Sequence, residues 1–570
     1  MKRIIAGLAL AAAIATSAVS GIVPAHAATK VVTTKSTATA TSLNSYKHVV
    51  IIYQENHSFD NLYGNWGTVN GQAVNGPANA TAAQKTQVGL DGTAYACLKM
   101  VDPNFMTTNA LLNNCSDTTT STSFKSVFTN NPFNINSYVA PSALNCATSA
   151  TGGCTSDLVH RFYQEQFQIN GGKQNRYALG SDAAGATMGY YDTKSLPIYT
   201  YLHGANAPKY VIADNFFQAA FGGSFLNHQW LVAAQSPIFK NAVTDGSAQD
   251  LHAVLDSNGM PRNNYPLYTT TNSWVADNPL TAACTTNAVA VAKGAPATAP
   301  AGKLCGDYAV NTIQPFNQPY APGTADYKRL PALTSSNIGD ELSAKNIDWA
   351  WYSGGWDNAA GNTSGSGWTN GTDGKTCMDT HTMAGSVYPN CPDTLFQFHH
   401  QPLNYFANYA PGTAARAAHL LDETAFIASA KAGTLKPVSF VKPVGNDNEH
   451  PGYTGENSGS QHTVDLIKAI ESGPNAKDTL ILLTYDEFGG AWDHVAPPTK
   501  AGVADQSGPG TRIPALIIGN LPASGVDHTQ YDTTSYLATI EKRFGVAALS
   551  TRDAAVANLS NAITAGLKKK

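Results

Sequence analysis

The apolar positions of this chain fall in short unbroken runs rather than in alternation. The first is Tyr-Lys-His-Val-Val-Ile-Ile-Tyr at 46–53, and others stand at 210–212, 348–352, 438–441, 479–485 and 515–518. Continuous runs rich in β-branched residues fit strands covered on both faces. Between several of them the period lengthens to that of a helix, at 338–345 and 462–470. Such alternation predicts an α/β fold with a mostly parallel sheet between helical layers. Stretches rich in Gly, Asn and Thr around 64–145, 269–325 and 354–393 read as insertions into a single domain over 46–570. Residues 28–45, rich in Thr, Ser and Ala, are expected to form a flexible leader.

Composition narrows the function. Of the 570 residues 13% are charged, with a net charge of −4. No basic field exists to attract a phosphate backbone, so nucleic acid is not an expected partner. Lys2 and Arg3, the apolar stretch 4–19 and Ala25-His26-Ala27 match a signal peptide over 1–27, which predicts a secreted or periplasmic protein. No later stretch approaches the ~20 apolar residues of a membrane span, so no stable membrane anchor is expected. The sequence leaves the oligomeric state open. Eight cysteines in an exported chain invite disulfides, and neighbouring pairs are Cys97–Cys115, Cys146–Cys154, Cys284–Cys305 and Cys377–Cys391.

In open α/β sheets the chemistry collects beyond the carboxyl ends of the strands. The first run ends in Gln54-Glu55-Asn56-His57-Ser58-Phe59-Asp60, and the run at 479–485 in Asp486-Glu487-Phe488-Gly489-Gly490-Ala491-Trp492-Asp493-His494. A lone acid after a strand is ordinarily a turn residue. Two clusters in a chain with so few charges instead suggest oxygen ligands for a hard cation. Ca, Mg or Mn suits such a set better than Zn.

Histidines form a second concentration: His160, in a predicted helix with Gln164 and Gln168 on one face, then His399, His400, His450 and His494. Singly each reads as an ordinary hydrogen-bonded side chain. Together they suit protonated donors to a phosphoryl group and a general acid. Ser224 follows Gly222-Gly223, a pair that permits a tight turn exposing the hydroxyl. Leu226 stands where a G-x-S-x-G motif needs its last glycine, which disfavours an α/β-hydrolase esterase.

Taken together, these segments resemble the bacterial phosphoesterase family that joins phospholipase C with acid phosphatase A. Glu55-Asn56-His57-Ser58-Phe59-Asp60 is similar to the family's E-N-x-S-F-D signature. Asp486-Glu487-Phe488-Gly489-Gly490-Ala491-Trp492-Asp493-His494-Val495-Ala496-Pro497-Pro498 is similar to its D-E-x-G-G-x-x-D-H-V-x-P-P signature. The resemblance implies an alkaline-phosphatase-like three-layer sandwich and a metal-dependent phosphoric ester hydrolase. It implies one divalent ion on Glu55, Asn56, Asp486 and Glu487, Ser224 as nucleophile through a phosphoserine, and His160, His399, His400, His450 and His494 around the phosphoryl group. The His399-His400 pair, and Asn61-Leu62-Tyr63-Gly64 after the first signature, resemble the acid phosphatase branch more than the phospholipases. An acid phosphatase acting on phosphomonoesters is therefore the expectation. A phospholipase C cleaving phosphatidylcholine-type lipids is the alternative, and a non-catalytic secreted binding protein on the same fold a minor one.

Overall fold

The apolar runs pair edge to edge into one eight-stranded sheet in the computed structural model. It describes residues 42–106, 113–118, 122–144, 153–238, 309–310, 312–371 and 373–568. The strands are His48–Gln54 (β1), Lys209–Ala213 (β2), Trp349–Ser353 (β3), Leu420–Asp422 (β4), Val438–Lys442 (β5), Thr479–Tyr485 (β6), Ala515–Gly519 (β7) and Gly525–Asp527 (β8). Their order is β4-β3-β5-β1-β6-β7-β2-β8. All neighbours are parallel except β7, which runs antiparallel to both β6 and β2. The edge strands β4 and β8 are three residues each, too short to stand out as runs.

Six helices matter here: Phe162–Ile169 (α1), Ser224–Ala233 (α2), Ile338–Ala344 (α3), Glu423–Ala432 (α4), Glu456–Glu471 (α5) and Thr534–Phe544 (α6). Val49, Ile51 and Tyr53 of β1 share one face of the sheet with Trp351 and Leu482, under Leu226 of α2, Leu342 of α3 and Leu537 of α6. Val50 and Ile52 face the other way with Tyr352 and Leu483, under Phe426 of α4 and Ile467 of α5. Both faces are dry, which is why the runs are unbroken. Each such side chain contributes about 1.5–3 kcal/mol of burial. The architecture is a three-layer α/β sandwich.

Thr39–Lys570 forms one compact unit. The expected signal peptide and all of the leader before Ser42 lie outside the described residues. Cys97–Cys115 and Cys377–Cys391 are disulfides, the latter with Cα atoms 5.5 Å apart. Cys154 is also bridged, while Cys146, Cys284 and Cys305 lie outside the described residues. Among the described residues no helix is long and apolar enough to cross a membrane.

One helix starts later than its sequence suggests. His160 precedes α1, because Arg161 is its N-cap with extended backbone (φ −101°, ψ 162°). Gln164 and Gln168 do lie on α1, both buried.

Candidate active site

Parallel register brings three strand ends to one edge. Gln54 pairs with Tyr485 between β1 and β6, and Ile52 with Val441 between β1 and β5. The residues that follow therefore converge: Glu55 and Asn56, Asp486 and Glu487, and Lys442. Asp486 N–H donates to Gln54 O at 2.9 Å, and Asn56 N–H donates to Asp486 Oδ1 at 3.0 Å. Asn56 reaches it in the left-handed region, φ 64°, which asparagine tolerates better than most residues. A Cβ on Gly489 would lie 2.1 Å from Asn56 O, so the Gly-Gly of the second cluster lets the two loops touch.

The side-chain oxygens gathered here are starved of donors. Asn56 Oδ1, Asp486 Oδ2 and Glu487 Oε1 are buried with no hydrogen-bond partner. Burial, with the charge of Asp486, holds the Glu487 carboxyl well above its usual range. Buried acceptors without donors are costly, and a divalent cation satisfies them together. Oxygen donors of this kind suit a hard ion. Asn56 Nδ2 donates to His160 Nε2 at 3.4 Å, which leaves Oδ1 for the ion. The residues present thus fit the metal that the sequence implied, with Glu55 beside them in a different setting. Glu55 Oε1 lies 2.5 Å from Lys442 Nζ, and its Oε2 accepts from Ser224 Oγ at 3.1 Å. Burial and Asp486 raise the Glu55 carboxyl well above its usual range, against the pull of Lys442.

Ser224 is the first residue of α2, after Gly223 as N-cap. The positive end of the helix dipole therefore faces whatever binds at its hydroxyl. Ser224 opens on a cleft of ≈ 220 Å³ lined also by Asp157, His160, Arg161, His399, His450 and Tyr453. His160 Nδ1 donates to Leu158 O at 2.6 Å and His450 Nδ1 to Pro451 O at 2.8 Å, which leaves both Nε2 atoms with lone pairs. Burial and neighbouring cationic groups push His399 and His450 down to about 3. In the free cleft these two are neutral, contrary to the expectation of protonated donors. An anionic phosphoryl group entering the cleft would act against that shift by favouring protonation.

Two of the expected histidines sit elsewhere. His400 lies behind Glu55, its Nε2 3.3 Å from Glu55 Oε2 and its ring stacked on His228 at 4.8 Å. His494 is not brought to the cleft: its Nδ1 lies 2.6 Å from Asp60 Oδ2. There Arg512 reaches Asp60 at 2.8 Å and Asp493 at 3.1 Å. A buried guanidinium fills this second acidic cluster, and it fastens the first signature to the second.

Sequence reasoning missed His228, Lys442 and Glu165. His228 stands one helical turn after Ser224 and donates from Nδ1 to Ser224 O at 2.8 Å, so its Nε2 lone pair faces Glu55 Oε1 at 3.5 Å. The i, i+4 spacing was a usable signal. Lys442 ends β5, at a strand end like the acids, and is 1% exposed.

The fold is a mostly parallel α/β sandwich that sets a serine at a helix N-terminus beside unsatisfied buried oxygens, a candidate nucleophile next to a candidate cation site at the strand ends. The chain belongs to the Phosphoesterase family, whose profile matches residues 46–547. It is 30% identical over 161 residues to phospholipase C B of Mycobacterium tuberculosis, covering 24% of this chain and 31% of that one. With non-specific phospholipase C6 of Arabidopsis thaliana it shares 26% over 211 residues, 32% of this chain and 38% of the relative. With the non-hemolytic phospholipase C of Burkholderia pseudomallei it shares 33% over 138 residues, 20% of each chain. The chain thus spans less than two-fifths of the length of these curated relatives. Among solved structures, a putative sulfatase from Bacteroides thetaiotaomicron matches 66% of this chain and 72% of its own at 11% identity and TM-score 0.26. An alkaline phosphatase superfamily protein from Vibrio parahaemolyticus matches 38% and 50% at 16% identity and TM-score 0.20.

Proposed function

We propose that this protein hydrolyses phosphate esters by displacement at phosphorus, with Ser224 as nucleophile. The observation that carries the reading is Ser224 Oγ itself: at a helix N-terminus, in the cleft with three histidines, and 3.1 Å from Glu55 Oε2. As the Oγ–P bond forms, the hydroxyl proton passes to Glu55, whose carboxyl is kept receptive by burial. The P–O bond to the alcohol breaks, and that oxygen takes a proton from a cleft histidine charged by the bound anion. Water then attacks phosphorus and gives a proton to the spent histidine, the Oγ–P bond breaks, Ser224 takes its proton back from Glu55, and the phosphorylated product leaves. A divalent cation on Asn56, Asp486 and Glu487, with Glu55 beside it, would neutralise phosphoryl oxygens and ease ionisation of Ser224.

The relatives' names favour a phospholipid-type phosphodiester as substrate. The small polar cleft with His399 favours a second reading, an acid phosphatase acting on phosphomonoesters. Phosphatidylcholine and p-nitrophenyl phosphate assayed side by side with the metal-loaded protein separate the two. In either case Ser224→Ala lowers turnover by at least about 10³-fold while the fold stays intact. Turnover within tenfold of wild type in that variant removes Ser224 from the nucleophile's place. Export remains part of the proposal, supported by the disulfides, which persist in oxidising compartments.

A further inference from the structure

Glu165 lies on α1, fully buried, and takes no part in the steps above. Four donors converge on its carboxylate. Gly222 N–H, at 2.5 Å, and Gln218 Nε2, at 2.9 Å, reach Oε2. Thr511 N–H, at 2.7 Å, and Thr511 Oγ1, at 2.8 Å, reach Oε1. A backbone N–H is aimed at each oxygen, that of Gly222 at Oε2 and that of Thr511 at Oε1. Burial pushes the Glu165 carboxyl up to about 8, even though the four hydrogen bonds pull the other way.

What those donors belong to is the point. Gly222 begins the turn that presents Ser224, at φ +90°, and a Cβ there would lie 2.6 Å from Phe162 N, the first residue of α1. Gln218 reaches across to the metal loop, its Oε1 accepting Phe488 N–H at 2.9 Å. Thr511 precedes Arg512, which grips Asp60 and Asp493. His160, just before α1, packs on the same turn: its Cδ2 would be 3.0 Å from a Cβ on Gly223. One carboxylate therefore ties the serine turn to the loop of Asp486 and Glu487, from the helix whose lead-in carries His160.

We infer that Glu165 is a positioning residue for the reaction, a buried clamp that fixes Ser224 Oγ relative to the Asp486–Glu487 loop and to His160. The inference rests on the reading of Ser224 as nucleophile. Glu165→Gln keeps the shape but sets an NH₂ donor against donors already aimed at the site. The serine turn is then displaced, while the oxygen set and the cleft that bind substrate remain.

The test uses the full-length, metal-loaded protein with p-nitrophenyl phosphate and bis(p-nitrophenyl) phosphate, taking the better substrate. Measurements are made well below each variant's Tm, so that only folded enzyme is compared. In Glu165→Gln, kcat is expected to fall about 30- to 100-fold, with KM and the inhibition constant of inorganic phosphate changed less than about threefold. Thr511→Val removes one hydroxyl donor without changing side-chain shape, and its kcat falls about three- to tenfold by the same reasoning. It serves if Glu165→Gln does not fold. Wild-type kcat in whichever variants fold, with lowered Tm alone, overturns the inference and leaves Glu165 a structural residue. A fall in kcat accompanied by an equal weakening of phosphate binding overturns it too, because the cleft rather than the nucleophile would have moved. Ser224→Ala in the same series keeps the two readings apart. If that variant retains turnover, the nucleophile assignment has failed. If it is dead while Glu165→Gln is fully active, the positioning role alone has failed.

Discussion

Arg512 divides the acids that follow the first and sixth strands of the sheet. Its guanidinium takes Asp60 and Asp493, with His494 alongside, and Asp486 Oδ2 and Glu487 Oε1 at the strand ends are left without donors. Removing the guanidinium strands two buried carboxylates. Arg512→Leu is therefore expected to cost about 3–5 kcal/mol of stability, readable as a lowered urea midpoint at unchanged slope. A loss under 1 kcal/mol would mean that the cluster is not the clamp its geometry describes. Neighbouring residues thus have different fates: Glu55 contacts Ser224 and Asn56 contacts His160, while Asp60 joins the clamp. Spacing alone could not separate them, since both sets are acids beyond a strand end. The separation depends on which cation lies nearer, and Arg512, 18 residues past His494, is far in sequence from Asp60.

Between elements, α4 and α5 are joined by an ion pair on the face of the sheet away from Ser224's helix. His462 Nε2 lies 3.1 Å from both oxygens of Glu423, the first residue of α4. Burial pulls the His462 pKa down, but the hydrogen bond and charge of Glu423 outweigh it and hold the ring at about 9. The folded value exceeds the unfolded one near 6.5, so the folded state binds the extra proton. The contribution is complete below pH ~6.5 and disappears as pH rises through about 9. His462 is partly exposed, which trims it to about 1–2 kcal/mol. Comparing urea midpoints at pH 6 and pH 9.5 should show this loss in the wild type, and His462→Gln should flatten it. An equal pH dependence in both proteins would place the effect elsewhere. Of the helix itself, the 462–470 periodicity was readable; its first turn, Glu456 to Gln461, carries Gly459 and Ser460 buried against α5's neighbours and shows no apolar period.

Over the whole molecule, the site is a product of sheet register. β5, β1 and β6 lie side by side although nearly 400 residues separate β1 from β5 along the chain. Their shared edge concentrates Glu55, Asp486 and Glu487, whose mutual repulsion a bound cation relieves. Chelation with EDTA should abolish turnover at pH 7 and lower Tm, with both restored by a divalent ion. Burial raises the pKa values of Glu55 and Glu487 in the cation-free fold, so the folded state takes up protons as pH falls. The Tm deficit of the chelated protein should accordingly shrink between pH 7 and pH 5 in scanning calorimetry. A deficit that grows on acidification would contradict that assignment.

By itself the sequence determined the layer architecture, because short unbroken runs rich in β-branched residues fit strands buried on both faces. It also marked the strand ends and the Gly-Gly turn before Ser224 as places to look for chemistry, because strand ends and Gly-Gly pairs are local features. Only the tertiary structure decided which acids share a site, that His494 serves Arg512 rather than the cleft, and that His399 and His450 start neutral. Those outcomes depend on burial and on neighbours hundreds of residues away, and both arise only when the strands pair in register. Glu165 makes the same point most sharply: within its helix it is one polar residue among several, and four donors from other parts of the chain give it its place.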